Sequence, residues 1–357
     1  MTLVHLLTDP PTNQNTAAFL APIVWHRHCL AGRSVSVRLF YRPAADLFEC
    51  DVLAINSKVW PGAWESQRVA ALALLEGAQA RGRRVVFFDR TSSAGMLNID
   101  VLRQVDRYTK GALYADRTLY DQPIYGSRLF ADYYHRHHGV ADDPPPAPQE
   151  PVGSDARKLV VAWNTGLANY SLTGPRRASW YAKVPWRGWF APPRLFTRPE
   201  SHRPIDASCR TGKSHSRTVA WQRKRMAELL AGRVPTERVS KAAYMRELRR
   251  SKAVLSPFGY SEINYKDFET FLSGSVLVKP DMSHLETWPN YFQAGRTYVA
   301  HRWDLSDVQV CIDAIVSAPD RHQEIARSGQ DLYRHHAASE AGGEAFADRF
   351  AAIVGLK

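Results

Sequence analysis

Two carboxylates seven positions apart, Glu262 and Glu269, stand in the stretch SPFGYSEINYKDFETFLSGSVLVKP (residues 256–280). Ala253, Val254 and Leu255 lead into Ser256 and Pro257, a Gly-bearing turn follows, and Gly274 closes an amphipathic segment before the buried run 275–278. Strand, turn, helix, glycine and strand in that order deliver the turn and the helix start to the carboxyl edge of a parallel sheet, where α/β folds bind ligands. A carboxylate at position 269 can accept hydrogen bonds from a ribose diol, and the helix N-terminus just before it favours phosphate. Phe268, Phe271 and Leu272 beside Glu269 predict partial burial, where an unpaired carboxylate is costly. The alternative is a solvated acid on the outer helix face.

Around that helix start Ser261, Asn264 and Tyr265 can supply hydrogen bonds, and Lys266 can offset a diphosphate or sit as a surface charge. A second basic constellation, RTGKSHSR at 210–217, follows one strand and precedes a helix. A Gly-containing basic loop at a helix N-terminus makes a pyrophosphate cradle, with Arg210 and Lys213 neutralising charge as a nucleotide leaves. The loop is not Gly-x4-Gly-Lys-Ser/Thr, so ATP hydrolysis has no support. His284 follows the second strand and can reach a phosphate or sugar, or cap a turn. In the first half, Asp9 and Asp89 end the apolar runs 3–8 and 84–88. Either can act as a general base toward an acceptor hydroxyl, or simply as a turn-forming Asp.

These residues need a scaffold of alternating strands and helices. The first half shows strands at 3–8, 35–41, 51–56 and 84–89, with helices expected over 16–30, 64–81 and 102–114. This βαβ rhythm predicts a parallel, doubly wound sheet. The Pro-rich stretch around 141–153 is a surface loop. A second unit begins near 205, with strands at 205–209, 253–255, 275–278 and 297–300 and a further one expected over 233–239. Helices are expected over 218–230, 242–250, 305–316, 321–335 and, after a Gly342-Gly343 break, 344–354.

The wording of 256–280, with KPDMSHLETWP after it, resembles the donor-binding half of GT-B glycosyltransferases, closest to a bacterial polysaccharide-type branch that includes spore-maturation-like proteins. Glu269-Thr-Phe-Leu-Ser-Gly274 matches that family's spacing from its second Glu to Gly, whereas the retaining pattern would put the first Glu at Ser261, one position before Glu262. The resemblance covers roughly 206–357 in detail and the rest in architecture. It implies two Rossmann-like doubly wound domains facing a central cleft: residues 1–200 on the acceptor side, and 205–357 binding a nucleotide-sugar, with the last helix packing back on the first domain. It also implies that Glu262 contacts the donor sugar or stabilises the leaving group, and that no metal or other cofactor is required. The acceptor would be a glycan, polysaccharide or lipid-linked saccharide.

A length of 357 residues with 45% hydrophobic content suits two cores. The net charge of +12 attracts phosphates: a nucleotide, nucleic acid or an anionic membrane face. No nucleic-acid motif is present and the basic residues are dispersed, so nucleic acid is not the expected partner. A nucleic-acid-binding protein and an inactive transferase-like partner subunit remain the alternatives. Cys29, Cys50, Cys209 and Cys311 lack CxxC spacing and read as free thiols of a cytoplasmic protein. The chain shows neither a signal peptide nor an apolar run long enough to span a bilayer, leaving peripheral contact at the inner face of a membrane. His135, His137 and His138 read as a basic helix end rather than as metal ligands.

Overall fold

The computed structural model describes residues 1–60, 64–171, 177–200, 202–212 and 216–356; Lys213 lies outside the described residues. In the first lobe the order is β1 (Thr2–Leu7), α1 (Gln14–Trp25), α2 (Arg27–Gly32), β2 (Val35–Phe40), β3 (Val52–Asn56), α3 (Trp64–Gln79) and β4 (Arg84–Phe88). It continues with α4 (Ile99–Gln104), β5 (Arg107–Lys110), β6 (Ala112–Tyr114), α5 (Leu129–His138) and β7 (Leu159–Val161). Six of these strands form one sheet in the order β2-β1-β3-β4-β5-β7, every neighbouring pair parallel. Its central strands are apolar on both faces; all five residues of β3 are buried. Both faces are therefore covered by helices, as a parallel sheet requires.

The second lobe runs β8 (Ile205–Ser208), α6 (Arg217–Leu229), α7 (Lys241–Arg250), β9 (Ser251–Leu255), α8 (Tyr265–Ser273), β10 (Val276–Pro280), β11 (Leu285–Thr287) and β12 (Val299–His301). The helices α9 (Val308–Ser317), α10 (Pro319–Ala338) and α11 (Glu340–Val354) follow. Its parallel sheet has the order β12-β10-β9-β8. The chain is thus α/β, with two parallel-sheet lobes. They are joined by an antiparallel ribbon in which β6 of the first lobe pairs with β11 of the second, Leu113 opposite Glu286. The last helix, α11, packs on the first lobe: Arg33 binds Glu344 at 2.6 Å, and Phe346 and Phe350 meet Trp163. No helix among the described residues is long and apolar enough to cross a membrane.

Four local expectations are corrected. The span expected as one helix over 102–114 is a short helix followed by β5 and β6. The Asp106 carboxylate accepts the Val85 amide at 2.7 Å and pins the chain beside β4, so Tyr108 and Thr109 enter the sheet instead of continuing the helix. The helix expected over 16–30 starts at Gln14 and breaks at His26, one turn after Pro22, which has no N–H to give. Residues 233–239 pair with no strand; they turn out of α6, with the Val234 amide bonded back to Leu230. Gly342 and Gly343 do not interrupt a helix but form the first turns of α11. A Cβ on Gly343 would stand 2.3 Å from the His26 ring, so glycine is what lets α11 close onto the α1–α2 junction.

Candidate functional site

The carboxyl ends of β4, β5 and β7 and the turn before α8 enclose a cavity of about 310 Å3 between the lobes. From the first lobe it is lined by Phe19, Asp89, Arg90, Lys110 and Asn164 among others, and from the second by Tyr260, Ser261, Ile263, Asn264 and Tyr265. The chain leaves β5 through Gly111, where a Cβ would lie 3.2 Å from the Trp163 carbonyl, so β5 and β7 can converge on the cavity floor.

The second-lobe wall rests on a buried ion pair. Asp267, in the first turn of α8, accepts from Lys279 of β10 at 3.2 Å, with both side chains fully buried. The same carboxylate takes bonds from Ser256 Oγ at 2.5 Å and from the Asn264 amide at 2.9 Å. Burial pushes the Lys279 ammonium down, with Asp267 opposing. At the other end of α8, Gly274 adopts φ 66°, and a Cβ there would stand 2.4 Å from the Thr197 carbonyl. Both ends of the helix that aims at the cavity are therefore fixed.

Glu269 lies one turn after Tyr265, faces inward with its side chain 7% exposed, and is ion-paired with Lys241 of α7. It does not line the cavity. Lys266 donates to the carbonyls of Arg210 and Leu255, and burial pushes its ammonium down. Arg210 is clamped by Glu247, with Nη2 to Oε2 at 2.7 Å and Nε at 3.0 Å from both oxygens. Arg223 from α6 bonds the Gly212 carbonyl at 2.9 Å, closing the near side of the basic loop. Ser261, Asn264 and Tyr265 face the cavity, and Asn264 Nδ2 ties the turn to the Pro257 carbonyl at 3.0 Å.

The acids expected to do proton chemistry are placed differently. Glu262 is 1% exposed, and its carboxylate crosses the lobe boundary to accept from Ser93 Oγ at 2.6 Å and the Ala94 amide at 3.2 Å. Asp89 lines the cavity but accepts from Lys110 at 2.9 Å, Tyr108 at 2.7 Å, and both the amide and hydroxyl of Thr91. Burial alone would raise its carboxyl; Lys110 and these hydrogen bonds overcome that and hold it low. Asp9 is partly exposed and accepts from Thr16, Asn13 and Asn56. His284 packs edge-on against Trp303 at 4.9 Å, with neither ring nitrogen hydrogen-bonded; burial lowers its pKa, with Glu262 and Asp281 opposing.

Sequence reasoning missed Arg90 and Lys110. Arg90 directly follows Asp89, and the order acid then Arg at a strand end was a usable signal. Lys110 was hidden inside the misread helix.

No protein-family model matches the chain, nor does any curated protein sequence. Among solved structures, the chain is similar to Alr3699/HepE of Anabaena in complex with UDP-glucose: 10% identity, 99% of this chain and 100% of that one, TM-score 0.45. It is also similar to a glycosyltransferase from Rickettsia africae at 9% identity, covering 100% and 99%, TM-score 0.46. A third is the sucrose-phosphate synthase of Thermosynechococcus elongatus at 11% identity, covering 99% and 98%, TM-score 0.45. These likenesses concern the overall course of the chain.

Proposed function

We propose that this chain is a glycosyltransferase of the GT-B kind that moves a sugar from a nucleotide-sugar to a hydroxyl of a glycan, polysaccharide or lipopolysaccharide-type acceptor. The observation that carries this reading is the cavity between the carboxyl edges of two parallel sheets, with the start of α8 aimed into it. The donor diphosphate would lie at the N-terminus of α8, near Lys266 and the basic loop containing Arg210 and Lys213. There the helix dipole and ammonium groups offset the charge that grows as the anomeric carbon–oxygen bond breaks. These groups do the work of a cation, so no metal or other cofactor is called for. Glu269 would take the ribose diol.

The acceptor would lie against the first lobe, its hydroxyl oxygen forming the new bond to the anomeric carbon. Asp9 is the acceptor-side acid that keeps solvent access, whereas Asp89 and Glu262 act through the groups they hold. The exposed Trp180 and Trp186, 55% and 59% accessible, stand among Lys183, Arg187 and Arg194. That mixture suits peripheral contact with an anionic membrane face carrying a lipid-linked acceptor. A second reading, a partner subunit without turnover, is favoured by one observation: Glu269 and Arg210 both have internal counter-ions.

A thermal-shift panel of nucleotides and nucleotide sugars on the wild type and Glu269→Ala tests the proposal. Stabilisation by one nucleotide that vanishes in the variant, together with slow hydrolysis of its sugar conjugate, supports it. An unchanged response in the variant removes Glu269 from the donor site, and no response in the wild type ends the transferase reading.

A further inference from the structure

The cavity wall carries a cation with no direct ion-pair partner: Asp9 is its nearest opposing charge, reached only through Thr16. Lys110 is satisfied by Asp89, the Thr91 carbonyl and hydroxyl, and the Met96 carbonyl. The two charges of that pair cancel, leaving Arg90 as the net charge of the described lining residues. The Arg90 guanidinium forms no ion pair with any described carboxylate. It has one long hydrogen bond, Nη1 to Thr16 Oγ1 at 3.4 Å, and its Cζ lies 5.1 Å from the centre of the Phe19 ring. Its five N–H donors thus have almost no acceptors.

Burial pushes Arg90 down to about 10, with Asp9, Tyr265 and Tyr170 opposing, so it is still charged at neutral pH. The group is ringed by protein yet partly accessible, because the cavity opens onto it. Holding a desolvated charge without a partner costs free energy, which a protein tolerates where a ligand supplies the opposite charge. The planar guanidinium, lying over Phe19, offers a fork for two oxygens.

We infer that the acceptor bound in this cavity carries an anionic group, a phosphate or a carboxylate, that docks on the Arg90 guanidinium. This rests on the reading above that the first lobe binds the acceptor. Arg90 stands at the end of β4 among first-lobe residues and lines the same cavity as Ser261, Asn264 and Tyr265 of the second lobe.

The test compares glucuronate, glycerol 3-phosphate and glucose as probes, titrated by NMR into the wild type, Arg90→Met and Arg90→Lys. At least one anion should bind the wild type about tenfold more tightly than glucose, a difference of about 1.4 kcal/mol. Whichever anion is preferred identifies the group as carboxylate or phosphate. The preference should fall with added salt, disappear in Arg90→Met and survive in part in Arg90→Lys. Equal binding of anions and glucose by the wild type, or an undiminished preference in Arg90→Met, overturns the inference.

Melting of the free proteins gives an independent readout. Arg90→Met should melt above the wild type, because it removes a desolvated charge that no direct ion pair offsets; a lower melting point would make the guanidinium structural and overturn the inference. The nucleotide-sugar panel separates this idea from the transferase reading. An equal nucleotide response in wild type and Arg90→Met supports Arg90 as an acceptor group, and loss of that response in Arg90→Met assigns it to the donor and overturns the inference. If no nucleotide binds either protein, the transferase reading fails, and the anion preference alone decides the role of Arg90.

Discussion

Glu262 Oε1 lies 2.6 Å from Ser93 Oγ, joining the turn before α8 to the loop after β4 across the lobe boundary. Ser93 has φ 74°, a left-handed conformation that a side-chain-bearing residue adopts at a cost. The contact therefore steadies a loop that lines the cavity. The Arg128 guanidinium stands near the same carboxylate and adds favourable charge.

Replacing Glu262 tests whether it clasps or catalyses. Glu262→Ala leaves the Ser93 hydroxyl and the Ala94 amide buried without an acceptor, and should lower unfolding free energy by about 2–3 kcal/mol. Glu262→Gln keeps an acceptor oxygen and should lose about 1 kcal/mol or less. Urea denaturation reads both. A Glu262→Ala protein as stable as the wild type but inactive would make the residue catalytic after all.

The Asp267–Lys279 pair makes a sharper stability prediction, because both groups are out of water. Lys279→Met leaves a buried carboxylate unpaired and should destabilise by about 3–5 kcal/mol. Asp267→Asn in the same protein should recover part of that loss, since the amide can still serve Ser256 and the Asn264 amide. A double-mutant cycle in urea gives the coupling. Additive losses would mean the pair is not what anchors α8.

The legible part of the fold was the part whose local signals agree with its tertiary setting. β3 and β4 are continuous apolar runs bounded by polar residues, and α8 has Asn264 before it and Gly274 after it. The span 102–114 failed because its apolar spacing suits a helix as well as paired strands, and only Asp106 gripping the Val85 amide decides. The site was legible as residue types at strand ends, but not as commitments. Sequence cannot tell that Asp89 faces Lys110 and Tyr108, that Arg210 is held by Glu247, or that Glu262 reaches 169 positions back to Ser93. Each of those partners comes from another part of the chain. Arg90 is the reverse case: its lack of a direct ion-pair partner can be seen only once the chain is folded.

Acid should weaken the fold through buried histidines. Burial lowers His301 to about 4, with the Arg302 carbonyl, Asp307 and Asp304 opposing and Lys279 reinforcing. Burial likewise lowers His26 to about 4, with His28 reinforcing and Glu344 opposing. The folded state refuses a proton that the unfolded chain takes up near pH 6.5. Stability is therefore fully present above about 6.5 and falls as pH drops toward 4, by on the order of 2–3 kcal/mol for each group. Urea midpoints at pH 7.5, 6 and 5 should show the decline, and His301→Gln should flatten it. An unchanged slope in that variant would place the acid sensitivity elsewhere.

Lys241 and Glu269 predict opposite signs for two substitutions at one pair. In the empty protein the Lys241 ammonium neutralises a carboxylate that is 7% exposed, while the lysine itself is 42% exposed. A ribose diol donating to Glu269 must compete with that ammonium, so the pair stabilises the empty state at the expense of the bound one. Lys241→Ala should destabilise the free protein by about 1–3 kcal/mol, by leaving a buried acid unpaired, and should enlarge the thermal shift produced by the cognate nucleotide. Glu269→Ala removes the diol's acceptor and should abolish most of that shift. Thermal-shift titrations of both variants check the pair; a Lys241→Ala response smaller than that of the wild type would mean the lysine itself contacts the ligand and that Glu269 serves only to position it.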